Sequence, residues 1–140
     1  VGYTTLIFDI LKAVIPVIFV KIYYIDFLYL ASLSAFLGHV FPIWLKFKGG
    51  KGVASYVGIL LSINLIYGLV FGIVWILIFL FSKYSSLASL VGSLCIPIYV
   101  FIFNDNQPIF FIIMFVLIFY THRENIKRLK NKEESKSKIY

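Results

Sequence analysis

Long runs of apolar residues alternate with short polar breaks along most of the chain, and this pattern predicts where its helices lie. Two of the runs, residues 53–82 and 84–104, reach or exceed the roughly 20 residues that a helix needs to cross a bilayer. The predicted helices span residues 3–22, 27–40, 53–63, 65–81, 86–103 and 108–121. The pattern therefore predicts an all-α fold, a polytopic integral membrane helical bundle with about six transmembrane helices.

The break at Asn64 is the least marked of these, because a single helix over residues 52–81 is the alternative. Such a helix would be roughly 45 Å long, well beyond a hydrocarbon core of about 30 Å. Charge provides a second test. With a break at Asn64, all basic residues except Lys12 and Lys21 lie on one side of the membrane, as the positive-inside rule expects of the cytoplasmic face. We therefore predict two helices in this region.

Composition supports a membrane protein. Of the 140 residues, 61% are hydrophobic and 14% are charged, whereas soluble domains have about 45–50% apolar and about 25% charged residues. The lone Cys95 is expected to pack as a small apolar side chain. No cysteine and histidine cluster has metal-ligand spacing, so we expect neither a metal site nor a cofactor. One membrane-embedded domain, 1–140, is predicted, with a basic cytoplasmic tail at 122–140; because it begins abruptly at Val1, we expect it to be N-terminally incomplete.

The most polar and most flexible stretch, GHVFPIWLKFKGGKGVAS, occupies residues 38–55. Within it, Gly49, Gly50 and Gly52 surround Lys51. Glycine lets backbone N–H groups approach an anion closely, and the start of the next helix adds partial positive charge. The stretch therefore indicates a phosphate cradle at the membrane surface, with an ordinary basic loop that holds anionic headgroups as an equal alternative. It lacks the spacing of a Walker A loop.

Two pairs of polar residues stand out in the first and last helical regions. Asp9 and Lys12 share a face of the first helix, either as a mutually neutralising pair or with Lys12 facing an anionic ligand. His122 and Asn125 share a face in HRENIKR, at the end of the last predicted span. A basic segment that stops translocation of the chain through the membrane explains the arginines and lysines there. It does not explain this histidine and asparagine.

The segment SKYSSLAS joins the fourth and fifth predicted helices and carries Lys83, Ser85 and Ser86. Either serine is a candidate N-cap for the fifth helix, and a hydroxyl contact to a phosphate is the alternative. By the predicted topology, all the polar clusters lie at the cytoplasmic side. An apolar bundle with a cationic, glycine-lined and histidine-bearing rim suits a substrate with an anionic head and an acyl tail.

Several of these motifs resemble those of the PlsY family, the bacterial acyl-phosphate:glycerol-3-phosphate acyltransferases. Residues 38–55 closely resemble its second signature, usually GHxFPxxxxFKGGKGVAT. SKYSSLAS resembles its third signature, HRENIKRL resembles its C-terminal HRxNIxRL, and FDILK is similar to a DxxK near the start of its second membrane helix. Its first signature, similar to GSGNIGATN, is absent, so the resemblance implies six helices in place of the usual seven.

Three positions depart from the family's usual pattern. Ser55 stands where threonine is usual and keeps the hydroxyl group, and Ala13 stands where glycine is usual. Lys83 stands where arginine is usual, which keeps the charge but loses the bidentate fork of the guanidinium.

The resemblance implies that an acyl group is transferred from acyl phosphate to the 1-hydroxyl of glycerol 3-phosphate. The products would be lysophosphatidic acid and phosphate, formed on the cytoplasmic side of the bacterial inner membrane. The catalytic residues it implies are His122 and Lys51, and the substrate-binding residues are Gly49, Gly50, Gly52, Lys12, Lys83, Ser85, Ser86, Asn125 and His39. For His39, a role in shaping the loop is favoured over contact with substrate.

Two functions of other kinds stay open. A small transporter or anion channel would prefer polar residues near the middle of the bilayer, and the sequence has few there. A truncated remnant, folded but inactive, would also lack the first signature. The expected partners are acyl phosphate, glycerol 3-phosphate and membrane lipids, with no nucleic acid and no obligate protein partner.

Overall fold

The computed structural model describes residues 2–47, 49–103 and 107–137, and every element in this part of the chain is helical. The α-helices are α1 (Gly2–Tyr23), α2 (Leu28–Val40), α3 (Val53–Ile63), α4 (Leu65–Ser82), α5 (Ser85–Ile102), α6 (Pro108–Thr121) and α7 (Arg123–Lys130). Short 3-10 turns, Ile25–Phe27 and Ile43–Leu45, lie on either side of α2. The predicted all-α class is confirmed, and α1 to α6 begin and end within one residue of the predicted bounds.

Local chemistry explains where the helices are interrupted. Asn64 adopts an extended backbone after α3, and its side-chain oxygen accepts a hydrogen bond from the Ile66 amide in the first turn of α4. The break predicted at Asn64 is therefore confirmed, and the single long helix is excluded. Pro108 occupies the first turn of α6, where its missing N–H leaves no hydrogen bond unmade. Lys48 of the glycine-rich loop, residues 104–106 of the last break, and Lys138 of the tail lie outside the described residues.

The residues group into two compact units, and the first is Val1–Leu69. In it α1 packs along α3, and α2 packs against both. Gly58 allows this close approach, because a Cβ atom there would lie 2.8 Å from the carbonyl oxygen of Ile10. The interface also buries Val17 and Ile59 completely. Dense packing of this kind fixes the register of α1 against α3.

The second unit is Val70–Tyr140, and in it α5 packs against α6. The Phe71 ring lies against Gly92 at a hypothetical Cβ distance of 3.0 Å, and the Trp75 indole N–H donates to the Ser89 hydroxyl at 3.1 Å. The chain bends by 62° between α6 and α7. The helix α7 and the segment after it were predicted only as a basic tail.

Two described helices, α4 and α5, are long and apolar enough to cross a membrane, and α6 with α7 becomes a third if the bent pair is one broken span. The apolar helices α2 and α3 are shorter. Large apolar side chains cover the outer face of α4: Ile73, Ile76, Leu77 and Leu80. Such a continuous apolar surface is typical of contact with lipid. The number of six spans stays a prediction.

Lys21 at the end of α1 provides a test of how the first unit is held together. Its ammonium donates to the carbonyl oxygens of Ser62 at 2.8 Å and Ile63 at 2.9 Å. These carbonyls end α3, where the helix carries partial negative charge and lacks amide partners. We expect Lys21→Met to lower the free energy of unfolding by about 1–2 kcal/mol, measured by thermal unfolding in detergent.

Lys130→Met is the matched control, because it removes the same charge from an exposed side chain of α7. It is expected to change stability by less than about 0.5 kcal/mol. Equal losses in the two variants would contradict the capping role of Lys21.

Candidate functional site

The glycine-rich loop joins α2 to α3 and is held in a tight turn. Lys46 and Phe47 have left-handed backbones, with φ values of 52° and 62°, which non-glycine residues adopt at a conformational cost. The Phe47 amide donates to the Pro42 carbonyl at 3.0 Å, and the Gly49 amide donates to the Val40 carbonyl at 3.1 Å. The loop therefore folds back onto the end of α2 before any ligand is considered.

The glycines of this loop are needed for three different steric reasons. A Cβ atom at Gly49 would meet the backbone carbonyls of His39 and Val40, and one at Gly50 would lie 2.6 Å from Nε2 of His39. Gly52 has a φ of 85° and lies against the ring of Phe36. It is the residue before the first turn of α3. A side chain at any of these positions would therefore displace its neighbours.

This geometry changes one part of the predicted phosphate cradle. The Gly49 amide is already used inside the loop by Val40, so it does not serve as an anion donor in this structure. Gly50 and Lys51 are exposed, and they remain the candidates for contact with a phosphate group.

A cleft of about 210 Å³ lies beside the loop in the first unit. It brings together four of the predicted site residues, Lys12, His39, Gly49 and Gly50, and adds Asp9. The Lys12 ammonium lies 2.9 Å from the Asp9 carboxylate, so the predicted ion pair is present. Because the Lys12 side chain is 53% exposed, the pair leaves part of the ammonium open to a ligand at the mouth of the cleft.

His39 forms one wall of this cleft, and only 9% of its side chain is exposed. Its Nδ1 atom lies 3.6 Å from the Asp9 carboxylate. Among the residues that the structure describes, Nδ1 has no hydrogen-bond partner. Its Nε2 atom faces Gly50. This placement supports the favoured prediction that His39 shapes the glycine-rich loop.

In the second unit, a carboxylate of the tail lies among residues that were predicted to bind anions. Oε1 of Glu134 accepts hydrogen bonds from the Ser86 hydroxyl and from Nδ2 of Asn125, both at 2.7 Å. Oε2 of Glu134 accepts one from Nε of Arg128, also at 2.7 Å. Only 9% of the Glu134 side chain is exposed. Because these donors point at Glu134, they do not point at a substrate phosphate.

Burial alone would raise the pKa of Glu134. Hydrogen bonds from Asn125, Ser86 and Arg128, with the positive charge of Arg128, outweigh burial and lower the pKa to about 2. The carboxylate is therefore charged at neutral pH and holds residues 131–137 against the end of α7 and the start of α5.

The segment between α4 and α5 has a different role from the one predicted. Tyr84 is the N-cap residue of α5 and makes no side-chain capping bond, so the serine N-cap alternative is wrong. The hydroxyl of Ser86 bonds to the tail instead, and Ser85 is exposed. Lys83 has a left-handed backbone with a φ of 64°, and its carbonyl accepts the Ser137 amide at 2.9 Å.

His122 lies at the bend between α6 and α7 and is 2% exposed. Its Nδ1 atom lies 2.8 Å from the Ile118 carbonyl oxygen. A carbonyl oxygen can only accept, so Nδ1 carries the hydrogen, and in the uncharged ring Nε2 is then an acceptor. Asn125, one turn later, is 5% exposed.

Comparison with known proteins identifies the protein family of this chain. The family described as glycerol-3-phosphate acyltransferase matches residues 1–132. This chain belongs to that family. A glycerol-3-phosphate acyltransferase of Pelagibacter ubique is 71% identical over 139 residues, which cover 99% of this chain and 73% of that protein. One from Brucella anthropi is 44% identical over 135 residues, or 94% of this chain and 66% of that protein.

A solved member of the family has the same fold. The crystal structure of PlsY, an integral membrane glycerol 3-phosphate acyltransferase, in its glycerol 3-phosphate form matches with a TM-score of 0.91 and 34% sequence identity. The match covers 98% of this chain and 71% of PlsY. The lysophosphatidic acid form of PlsY also matches with a TM-score of 0.91. The predicted family and the predicted helical membrane architecture are confirmed.

Sequence reasoning missed Glu134, Arg128 as its partner, and Asp9 as a wall of the cleft. Glu134 lies 48 residues from Ser86 along the chain, and no helical period links the two. The one available signal was a pair of acidic residues, Glu133 and Glu134, among the lysines of the tail.

The contact between His39 and Gly50 can be tested by a rescue experiment. Gly50→Ala is expected to lower the free energy of unfolding of this protein by about 1–2 kcal/mol, because its Cβ atom would collide with the buried imidazole of His39. In a His39→Ala background, the same substitution is expected to cost almost nothing, because the colliding ring is gone. Thermal unfolding of both single variants and the double variant measures this coupling.

Gly49→Ala is the matched control. Its Cβ atom would meet backbone carbonyl oxygens of His39 and Val40, which shortening the His39 side chain does not move. Its destabilisation should persist in the His39→Ala background. Rescue of both glycine variants, or of neither, would contradict this account of the loop.

Glu134→Gln tests whether the carboxylate holds the tail. The substitution keeps the shape of the side chain but removes its charge, so we expect tryptic cleavage after Lys132 and Lys136 to accelerate on the order of tenfold. Glu133→Gln, at the exposed neighbour, is the control and should leave the cleavage rate within about twofold of the parent rate.

The tail contact should also depend on pH. Because the pKa of Glu134 is about 2 in the folded chain and 4.5 ordinarily, the stabilisation is complete above the ordinary value. It should decline as the pH falls from there towards the folded value. The hydrogen-exchange protection of residues 131–137, measured relative to the intrinsic exchange rate at each pH, should therefore be high near neutral pH and fall in acid in the parent chain. A parent chain whose tail stays equally protected at pH 2 would contradict this assignment.

Proposed function

We propose that this chain transfers an acyl group from acyl phosphate to the 1-hydroxyl of glycerol 3-phosphate, giving lysophosphatidic acid and phosphate for phospholipid synthesis. The observation that carries the proposal is the cleft, where Lys12, His39 and the loop glycines meet. It is supported by the fold shared with PlsY, which has been solved in glycerol 3-phosphate and lysophosphatidic acid forms. The two alternatives, a transporter and an inactive remnant, have no comparable support.

The proposed reaction needs positioning more than a covalent enzyme intermediate. Acyl phosphate is a mixed anhydride, so its carbonyl carbon is already activated. The oxygen of the 1-hydroxyl attacks that carbon, the bond from carbon to the bridging phosphate oxygen breaks, and phosphate leaves. The hydroxyl proton passes to the departing phosphate, with His122 as the candidate where a protein group takes it. Cations and oriented amides offset the repulsion between two phosphate-bearing substrates.

The roles we propose follow from where each group lies. Lys51, with Gly50, binds phosphate from the exposed side of the loop, and Lys12 adds charge at the mouth of the cleft. Gly52 is buried and turns the chain into α3. Gly49 positions the loop through its bond to Val40. Lys83 and Ser85 lie at the start of α5 and provide further contacts with anionic substrate.

The proposed location is the bacterial cytoplasmic membrane, with the active site facing the cytoplasm. The excess of basic residues in the loops that the predicted topology places on one side supports this orientation. Anionic headgroups at that surface would also attract the exposed lysines of α7 and the tail.

Acyl transfer by the purified protein in lipid bilayers tests the proposal. Phosphate release from acyl phosphate should require glycerol 3-phosphate, and lysophosphatidic acid should appear in equal amount. Lys51→Ala should lower kcat/KM at least about tenfold, and His122→Ala on the order of a hundredfold. Lys46→Ala, at an exposed lysine of the same loop, is the control and should have a smaller effect.

Full activity of both the Lys51 and His122 variants would refute the site assignment. Uptake of glycerol 3-phosphate into vesicles without any covalent product would refute the acyltransferase and favour a transporter.

A further inference from the structure

We infer that the loop between α2 and α3 inserts an apolar patch into the lipid bilayer, and that Lys46 holds the loop at the level of the headgroups. The patch consists of Ile43, Leu45 and Phe47. The inference goes beyond the proposed function, because it gives the loop a second partner: a bilayer surface that carries anionic headgroups.

The patch is exposed although its side chains are large and apolar. Ile43 is 76% exposed, Leu45 54% and Phe47 62%. The three lie within five consecutive residues, and Lys46 between two of them is exposed as well. Apolar side chains that are exposed together mark an interaction surface, whereas single exposed ones do not.

The backbone of Phe47 supports the same conclusion. Its φ of 62° is left-handed, which is unfavourable for a residue with a Cβ atom. In water, the loop would carry both this strain and the unfavourable hydration of an aromatic ring. Contact with lipid removes the ring from water and so offsets the strain.

The lengths of the flanking helices place the loop at the depth of the hydrocarbon. Helix α2 has 13 residues and α3 has 11, so they are about 20 Å and about 16 Å long. Their ends away from the loop lie together, because Lys21, just before the turn into α2, bonds the carbonyls that end α3. Even with the 3-10 turn that precedes α2, this hairpin spans only about 26 Å. The hydrocarbon core is about 30 Å thick.

The backbone of the loop is suited to an apolar environment. The amides of Leu45 and Phe47 donate to the Pro42 carbonyl at 3.1 Å and 3.0 Å, and the Lys46 amide donates to the Ile43 carbonyl at 3.1 Å. Pro42 has no N–H group. Irregular backbone is tolerated at membrane depth only where its polar groups are bonded within the protein or face a polar cavity. These amides meet that condition.

Continuity and charge favour lipid over a soluble protein as the occupant. Leu45 lines the same cleft as Asp9 of α1, so the patch adjoins the first turns of α1, where Leu6 and Ile7 are also exposed. A lysine keeps its ammonium at the headgroups while its apolar neighbours lie deeper. An anionic lipid surface complements the charge of Lys46.

A depth measurement by electron paramagnetic resonance tests the inference. Nitroxide labels at Ile43→Cys and Phe47→Cys, each in a Cys95→Ser background, are examined in nanodiscs of phosphatidylcholine and phosphatidylglycerol. Depth follows from the accessibility of each label to oxygen, which concentrates in lipid, and to a nickel chelate, which stays in water. Both labels are expected about 5–10 Å below the lipid phosphates. Ile76→Cys on the outer face of α4 calibrates the signal in hydrocarbon, and Glu133→Cys in the exposed tail calibrates water.

Labels at both loop positions that are as accessible to the nickel chelate as the label at position 133 would overturn the inference. The patch would then face water and fit a docking surface for a soluble protein.

A second variant tests whether the patch causes the insertion. Phe47→Ser should move the label at position 43 towards water by about 5 Å, because the largest apolar group of the patch is lost. The fold should be retained, since most of this ring lies outside the protein core. Phe81→Ser is the matched control, because it removes the same kind of ring, 87% exposed, from the end of α4; it should leave the label in place. Equal shifts in the two variants would contradict the role of Phe47.

The consequence for catalysis rests on the proposed function. Leu45 belongs both to the patch and to the wall of the cleft, so a loop in the bilayer opens the cleft towards a substrate dissolved in the membrane. Phe47→Ser should therefore raise the KM of a long-chain acyl phosphate at least about threefold and leave the KM of glycerol 3-phosphate within about twofold. Equal changes in both KM values would contradict this route. A parent protein without acyl transfer refutes the proposed function, whereas the measured depth of the loop decides the insertion by itself.

Discussion

A charged group buried against an apolar bundle costs free energy unless another polar group pairs with it. This constraint determines how the segments of this protein are connected. Lys21 bonds the carbonyls that end α3 and so joins α1 to α3. Glu134 bonds Ser86 and Asn125 and so joins the tail to α5 and α7. The contacts of Lys21 and Glu134 also help to position candidate site residues, because the helices that they join carry those residues.

Hydrogen bonding within the chain also determines which site residues keep a donor for an anion. The amide of Gly49 and the hydroxyl of Ser86 already have acceptors within the chain. Their hydrogens are therefore not directed at a phosphate. In the first unit, the exposed cations Lys12 and Lys51 and the exposed Gly50 therefore remain the candidates for anion binding. In the second unit, the oxygen of Asn125 is buried and has no hydrogen-bond partner among the described residues, so the group left unpaired there is an acceptor.

The helices were predictable because each is bounded by a local signal. Asn64 interrupts the helix, and its side chain then accepts a hydrogen bond from the Ile66 amide. Pro108 begins a helix at a position where its missing N–H loses no hydrogen bond. The family was predictable because a long and unusual motif lies in one continuous segment. The contact of Glu134 with Ser86 was not, because it joins residues 48 positions apart and depends on how the tail folds back. The place of Asp9 beside His39 likewise depends on packing between α1 and α2, which no single periodic pattern specifies.

The glycines show most clearly how a motif and its chemistry can be confused. A sequence with two adjacent glycines, a lysine and a third glycine suggests that every glycine is small so that phosphate can approach its amide. In this structure each glycine already has an internal reason to lack a side chain. Gly49 lies against backbone carbonyls, Gly50 lies against the His39 imidazole, and Gly52 combines a left-handed backbone with contact to the Phe36 ring. Loss of activity in a glycine variant would follow from these collisions even if no phosphate touched the loop. A test of phosphate contact therefore depends on a variant of Lys51, whose exposed side chain does not share that steric constraint, and on rescue of Gly50→Ala, which separates a displaced loop from a lost ligand contact.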